Sequence, residues 1–185
     1  MKIVILSGSP RKESLTRRVA LHMEQVLMQT EYQTELIDLS KWNIPPVQTV
    51  WQSPADAPEE FRSLAESIES ADAYLLVTPE YNGSYSPALK NLLDHFPKRS
   101  RKPFGLVTAS PGAMGGMRAA QQLLLLVPAL FGIASPQFLL VPGVDKKFNE
   151  AGELTDLGFQ KNIAVFLDEF RWLCERLVNQ SVPLK

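Results

Sequence analysis

With a single cysteine, Cys174, in 185 residues, the chain can form no internal disulfide and no cysteine-built metal site. That scarcity suits a reducing compartment, and a cytoplasmic protein is expected. An excess of charge is also missing. Nineteen basic residues against twenty acidic ones give a formal net charge of -1, which supplies no basic field for nucleic acid and no acidic tail. Long apolar runs are absent too. Ile3 to Leu6 is too short for the core of a signal peptide. The longest run, Leu123 to Ala134, falls well below the roughly 20 residues that cross a bilayer and is broken by Pro128 and Gly132. Neither nucleic acid nor a membrane is expected as a partner, and no internal repeat or low-complexity segment is visible.

What is present is enough apolar residue, 45% of the chain, to fill one core, so residues 1–185 are expected to form a single domain. Short Val/Ile/Leu/Phe-rich runs alternate with stretches of helical period, the mark of a parallel sheet with helices on both faces. Strands are expected at Lys2 to Ser7, Thr34 to Leu39, Ala73 to Thr78, Phe104 to Ala109 and Gln137 to Val141. Five helices connect and follow them. The first runs from about Ser14 to Met28, with Leu15, Val19, Met23, Val26 and Leu27 on one face. The second starts near Asp56, with Pro58 in its first turn and Phe61, Leu64, Ala65 and Ile68 as its stripe. The third follows Ser86-Pro87 and carries Leu89, Leu92, Leu93 and Phe96. The fourth runs from about Gly116 to Phe131, and the last from about Thr155 to Leu177 through Phe159, Ile163, Phe166, Leu167, Phe170 and Leu173. Right-handed crossovers between five such units make a doubly wound α/β sandwich, a five-stranded parallel sheet of flavodoxin-like order 2-1-3-4-5.

In such a sheet ligands bind beyond the carboxyl ends of the strands, near the point where strand order reverses. Three loops therefore matter. Gly8 to Thr16 joins a strand to a helix start, where unpaired backbone amides attract an anion; Ser9, Ser14 and Thr16 add hydroxyls and Arg11 a planar charged fork. It lacks the spacing of a P-loop or of G-x-G-x-x-G, so one monophosphate is the better fit, against the plainer alternative of a capping Ser14 beside a solvated Arg11. Thr78 to Pro87 contains Asn82-Gly83, which tolerates positive φ, flanked by Tyr81 and Tyr85. It can face the polar edge of a flat heterocycle or be only a turn before a capped helix. Ala109 to Met117 has three glycines in five positions, either a platform that a ring can approach or a flexible connection. That all three fall on one edge of the sheet favours a phosphorylated planar ligand.

These motifs resemble those of the NADPH-dependent FMN reductase family, which includes quinone, azo and chromate reductases. The matching residues are Gly8 to Ser14, Pro79 to Gly83 with Leu89-Lys90-Asn91 and Asp94, and Ser110 to Gly116, in order and spacing over about residues 1 to 140. The resemblance implies bound FMN, with Ser9, Arg11, Ser14 and Thr16 on its phosphate. It implies Pro79, Glu80, Tyr81, Asn82 and Gly83 against the isoalloxazine, with Ser110 and Gly112 at its far edge. Position 16 is often Asn in that family, and Thr16 keeps a hydroxyl donor. After Val141 the match is in pattern alone.

A flavin carries the hard chemistry, so no acid–base dyad and no metal are expected. The expected activity is hydride transfer from NADPH or NADH through FMN to a small acceptor (a quinone, free flavin, azo compound or metal oxyanion) in a ping-pong cycle. The rival is a flavodoxin-type electron carrier; the resemblance implies that such carriers are markedly acidic and lack an arginine in the phosphate loop, so Arg11 and the near-zero charge favour the reductase. A scaffold that kept the fold without activity is the second rival.

His22, on a polar helix face, and His95, at a helix end where positive charge favours the dipole, read as structural, as do Cys174, Trp42 and Trp51. Helix four is apolar almost all round, through Leu123 to Val127 and Ala129 to Phe131. A homo-oligomer is therefore expected, and the family resemblance implies a homodimer or homotetramer through helices three and four.

Overall fold

Apolar runs bounded by turn residues become strands of one parallel sheet in the computed structural model, which describes residues 1–178. They are β1 (Lys2–Ser7), β2 (Gln33–Asp38), β3 (Ala73–Pro79), β4 (Pro103–Ser110), β5 (Ile133–Ala134) and β6 (Leu139–Pro142). The order is β2-β1-β3-β4, with β5 and β6 pairing successive parts of β4 in the fifth position. This is the flavodoxin-like 2-1-3-4-5 arrangement, its last strand in two pieces. The break lies at Ser135-Pro136, where proline has no N–H for the ladder and holds the preceding residue extended.

Alternation along the strands splits the core into two layers. Val4, Leu6, Tyr74, Leu76, Phe104 and Leu106 face α2 (Arg62–Glu69), α3 (Pro87–Asp94) and α4 (Met117–Ala129). Ile3, Ile5, Leu75, Val77 and Val107 face α1 (Leu15–Leu27) and α5 (Gln160–Val178). The expected stripes of α2, α3 and α5 are buried; on α1, Val19, Met23 and Leu27 are buried, while Leu15 and Val26 pack at the margin. Burial pushes the Cys174 thiol up to about 12, as befits an inert core residue. Among the described residues no helix is long and apolar enough to cross a membrane.

Two helix starts differ from the sequence expectation. The second helix begins at Arg62, not near Asp56: Ser53 and Asp56 close a separate 3-10 turn over Pro54–Asp56, and Pro58 is extended at φ -51°, ψ 149°. Proline there caps a second short turn, Glu59–Phe61, instead of entering the α-helix. The last helix begins at Gln160, not Thr155, because the Asp156 carboxylate accepts from Gly158 N and holds Leu157–Phe159 as a 3-10 turn.

The long connections are held by side chains far away in sequence. Asn91 on α3 accepts from Val47 N (3.1 Å) and donates to Ile44 O (3.2 Å) and Pro45 O (2.9 Å), pinning the stretch after β2. Trp51 packs between the rings of Phe61 (5.8 Å) and His95 (4.4 Å), so it is a core residue, and His95 is buried with Nδ1 2.8 Å from Asn91 O. His22 is not on a free polar face. Its Nδ1 lies 2.9 Å from Gly152 O and its ring 5.2 Å from Phe148, so that burial lowers its pKa. Arg18, donating to Phe148 O at 3.2 Å, and Gln25, donating to Ala151 O at 2.9 Å, complete the seam between α1 and the segment before α5.

Candidate functional site

Parallel strands end together, so the loops after β1, β3 and β4 meet at one edge of the sheet. Between them lies a cleft of about 160 Å³. Of the residues singled out from the sequence, Ser9, Arg11, Ser14, Thr16, Pro79, Glu80, Tyr81 and Ser110 line it. Asn82, Gly83 and Gly112 belong to the same loops but stand outside its lining.

The first loop leaves β1 through Gly8, whose amide donates to Val77 O at 2.7 Å. A Cβ on Gly8 would stand 3.2 Å from Leu89 Cβ, so glycine lets the loop sit close on α3. Ser86 fastens the same junction, donating its hydroxyl to Gly8 O while accepting from Leu89 N at 3.1 Å as the cap of α3. Ser14 caps α1 by accepting from Arg17 N at 3.3 Å. That leaves the Leu15 and Thr16 amides, the first two of the helix, without a protein acceptor among the described residues. Ser9 and Thr16, residues 2% and 3% exposed, line the same cleft. Ser7, at the end of β1 on its α1-facing side and behind the cleft lining, has a buried hydroxyl with no partner among the described residues. Donors gathered at a helix N-terminus in this way suit a phosphate.

The second loop is a tight two-residue hairpin. Tyr81 and Ser84 exchange both backbone bonds (2.8 and 3.1 Å) around Asn82 at φ 51° and Gly83 at φ 84°, the positive pair that an Asn-Gly turn supplies. Tyr81 faces back over the first loop: the Arg11 guanidinium carbon lies 4.7 Å from its ring centroid, and its own hydroxyl is buried without a partner among the described residues. Arg11 is therefore stacked at the mouth of the cleft, tying two loops together.

The third loop works differently from a plain glycine platform. Gly115 and Gly116 both have positive φ, 60° and 85°. A Cβ on Gly115 would stand 2.8 Å from Pro142 N, and one on Gly116 2.9 Å from Thr108 Cβ, so both glycines serve the packing of the loop against β4 and β6. Only Gly112 is open, with Ser110 Oγ 3.4 Å from its virtual Cβ as the sole near atom. Since Gly116 has no side chain with which to cap α4, the carboxylate of Glu80 supplies the acceptor, taking the Arg118 amide at 3.1 Å. Glu80 thus links the second loop to the helix that follows the third.

Sequence reasoning missed Val144, which closes the cleft from the segment after β6. The signal was Pro142-Gly143, a turn directly after a strand, with Gly143 at φ 56°. A cleft lined by Ser9, Arg11, Ser14 and Thr16 together with Pro79, Tyr81 and Val144 offers donors for an anion and apolar and aromatic surface for the edge of a flat ring.

Similarity to known proteins agrees with this geometry. The chain is 30% identical over 175 residues to an FMN-dependent NADPH-azoreductase of Staphylococcus aureus, a match covering 91% of this chain and 93% of that one. It is also 30% identical to an NADPH azoreductase of a Bacillus species, over 83% of each chain. Among solved structures, FerB, a flavoenzyme NAD(P)H:acceptor oxidoreductase of Paracoccus denitrificans, superposes with a TM-score of 0.79 at 26% identity, covering 95% of this chain and 98% of that one. The family pattern described as NADPH-dependent FMN reductase matches residues 1–145. The chain therefore belongs to the NADPH-dependent FMN reductase family and is an NAD(P)H-dependent flavin oxidoreductase whose cofactors are FMN and NADPH.

Proposed function

We propose that residues 1–185 act as one FMN-binding domain that passes hydride from a reduced nicotinamide to a quinone, free flavin, azo compound or metal oxyanion in a ping-pong cycle. The observation that carries this reading is the single cleft in which a phosphate cradle, an aromatic turn and a glycine loop meet. When bound, FMN supplies hydride acceptance and donation at N5. Everything else falls to the chain. Ser9, Ser14 and Thr16 hold the phosphate with the free α1 amides, and Arg11 adds the charge-assisted contact. Pro79, Glu80, Tyr81, Asn82 and Gly83 border the isoalloxazine on one side, with Ser110 and Gly112 at the far edge. Backbone amides of the loops after β3 and β4, where they border the bound ring, would stabilise negative charge developing on it. With one cleft for two substrates, the oxidised nicotinamide leaves before the acceptor enters.

Steady-state rates measured against NADPH at several fixed quinone concentrations are expected to give parallel double-reciprocal lines, and the FMN-loaded protein to bleach rapidly with NADPH alone. Intersecting lines would sink the ping-pong cycle. A bound flavin that NADPH leaves yellow would return the reading to an electron carrier.

The same reading includes a homodimer or homotetramer through α3 and α4. On α4 Leu125 is 69% exposed while Leu123, Leu126 and Val127 are buried, so the expected second apolar face narrows to Leu125, with exposed Phe131 (62%) and Ile133 (39%) just beyond the helix end. Sedimentation at micromolar concentration is expected to show an oligomer, and Leu125→Glu to dissociate it. A monomeric wild-type protein counts against the interface. The lone, buried Cys174 supports a reducing, cytoplasmic setting.

A further inference from the structure

One of the six asparagines of the chain is open to a spontaneous chemistry that the others resist. When a backbone amide nitrogen attacks the side-chain carbonyl of the asparagine before it, a cyclic imide closes, and the residue that follows decides how easily. Asn82 alone precedes glycine, which puts no Cβ in the path of ring closure; the others precede Ile44, Leu92, Glu150, Ile163 and Gln180. The structure adds a second distinction. Asn91 spends its side chain on Ile44, Pro45 and Val47, and Asn149 on Glu153 and the Ala151 amide. Asn82 is exposed, and its carboxamide has no hydrogen-bond partner among the described residues. The Gly83 amide, the attacking group, donates to no protein acceptor among them either. Two backbone bonds between Tyr81 and Ser84 hold the turn, and a Cβ on Gly83 would meet only Arg118 Cδ, at 3.7 Å. Arg118 lies in the first turn of α4, about two turns of helix before Leu125, so the Asn82-Gly83 turn stands apart from the apolar residues offered for subunit contact.

We propose that Asn82 is a deamidation site that converts in the flavin-free protein and is shielded once FMN is seated. The Gly83 nitrogen loses its proton to hydroxide and forms a bond to Asn82 Cγ as ammonia leaves. Water then opens the imide at either carbonyl and yields aspartate or isoaspartate, with no change of oxidation state. The aspartate places a negative charge in the loop assigned to the isoalloxazine. The isoaspartate adds a methylene to the main chain, so Tyr81 and Ser84 can no longer exchange both bonds across a two-residue turn. Attack requires the main chain at Asn82 to swing Gly83 N onto Cγ, a rotation that the closed hairpin opposes, so its two bonds open first. A ring bordering the turn suppresses that opening. The shielding, though not the site, rests on the function assigned above. The loop thus ages in chains that hold no flavin and is preserved in those that do.

The test incubates flavin-free and FMN-loaded protein side by side at neutral and mildly alkaline pH, with peptide mass mapping and enzymatic methylation to mark isoaspartate. In the flavin-free sample the Asn82 peptide is expected to exchange its amide for a carboxyl, faster at higher pH because the attacking nitrogen must lose its proton. The rate should be about five- to a hundredfold below that of a synthetic peptide of residues 78–87, the effect of opening two hydrogen bonds. With free FMN at about ten times its dissociation constant the rate should fall about tenfold, since only the flavin-free fraction reacts. Asn82→Asp keeps a residue that accepts positive φ and has no ammonia to lose, so its peptide should gain no such mass. No conversion at Asn82 over about a hundred half-lives of the synthetic peptide, or earlier conversion at another asparagine, overturns the site. Equal rates in flavin-free and flavin-saturated protein overturn the shielding. A protein that takes up no FMN overturns the functional assignment and the shielding with it, while the flavin-free sample still decides the site.

Discussion

Replacing Arg11 with alanine is expected to weaken FMN binding by about ten- to a hundredfold while riboflavin affinity stays nearly unchanged, since a charge-assisted contact to phosphate contributes roughly 1.5–3 kcal/mol. The side chain is exposed, and the Arg11 amide that donates to Ser9 Oγ at 3.3 Å survives the substitution, so the loop keeps its internal bond. Losing the stack on Tyr81 removes about 0.5–1 kcal/mol of loop-to-loop contact, but that loss falls on both flavins alike. The ratio of the two affinities therefore isolates the phosphate. Flavin fluorescence titrations, read beside the melting temperature of the flavin-free protein, give that ratio. Equal weakening of both flavins, or of neither, would show that the first loop is not the phosphate site.

Gly115→Ala is expected to destabilise the flavin-free protein by about 3 kcal/mol. Holding alanine at φ 60° costs roughly 1–2 kcal/mol, and its Cβ would stand 2.8 Å from Pro142 N and 3.0 Å from Val141 N. Those neighbours are backbone of β6, which must shift against β4 to make room. For a chain of this size the melting temperature should fall by about 6–12 °C. Gly112→Ala is the control in the same loop: its surroundings are open, so melting without flavin should stay within about 1 °C while FMN affinity drops. Thermal scans of the two flavin-free variants decide it. Equal melting of Gly115→Ala and wild type would remove the packing account of the third loop.

The sheet, its order and the three loops were legible in the sequence because each rests on local chemistry. Buried parallel strands are short apolar runs, Ser86-Pro87 caps α3 as expected, and Asn82-Gly83 forms the positive-φ pair that its composition allows. The helix starts misread at Asp56 and Thr155 have the opposite cause. A cap residue followed by an apolar stripe also fits a 3-10 turn leading into a helix, and which of the two forms depends on a few hydrogen bonds such as Asp156 to Gly158.

Other features depend on contacts between distant parts of the chain. Nothing near His22 announces that its partner is Gly152, and nothing near Asn91 shows that it holds Ile44, Pro45 and Val47. Glycine-rich composition alone could not separate Gly112 from Gly115 and Gly116, since the distinction lies in what stands opposite each one. Val144 reaches the cleft only because β6 ends beside the third loop, a fact of register.

The pairing of Glu80 with the Arg118 amide and the stacking of Arg11 on Tyr81 join the three loops crosswise through contacts of the protein itself. Much of the ordering that a flexible site would undergo on capturing its ligand is then accomplished during folding. Cofactor capture should accordingly resemble entry into a set mould, with a rapid association step and little dependence of its rate on solvent viscosity beyond that of diffusion itself. The expected counterpart is slow exchange: a ligand held by walls that brace one another leaves only when several contacts open together, as the proposed resident flavin would require.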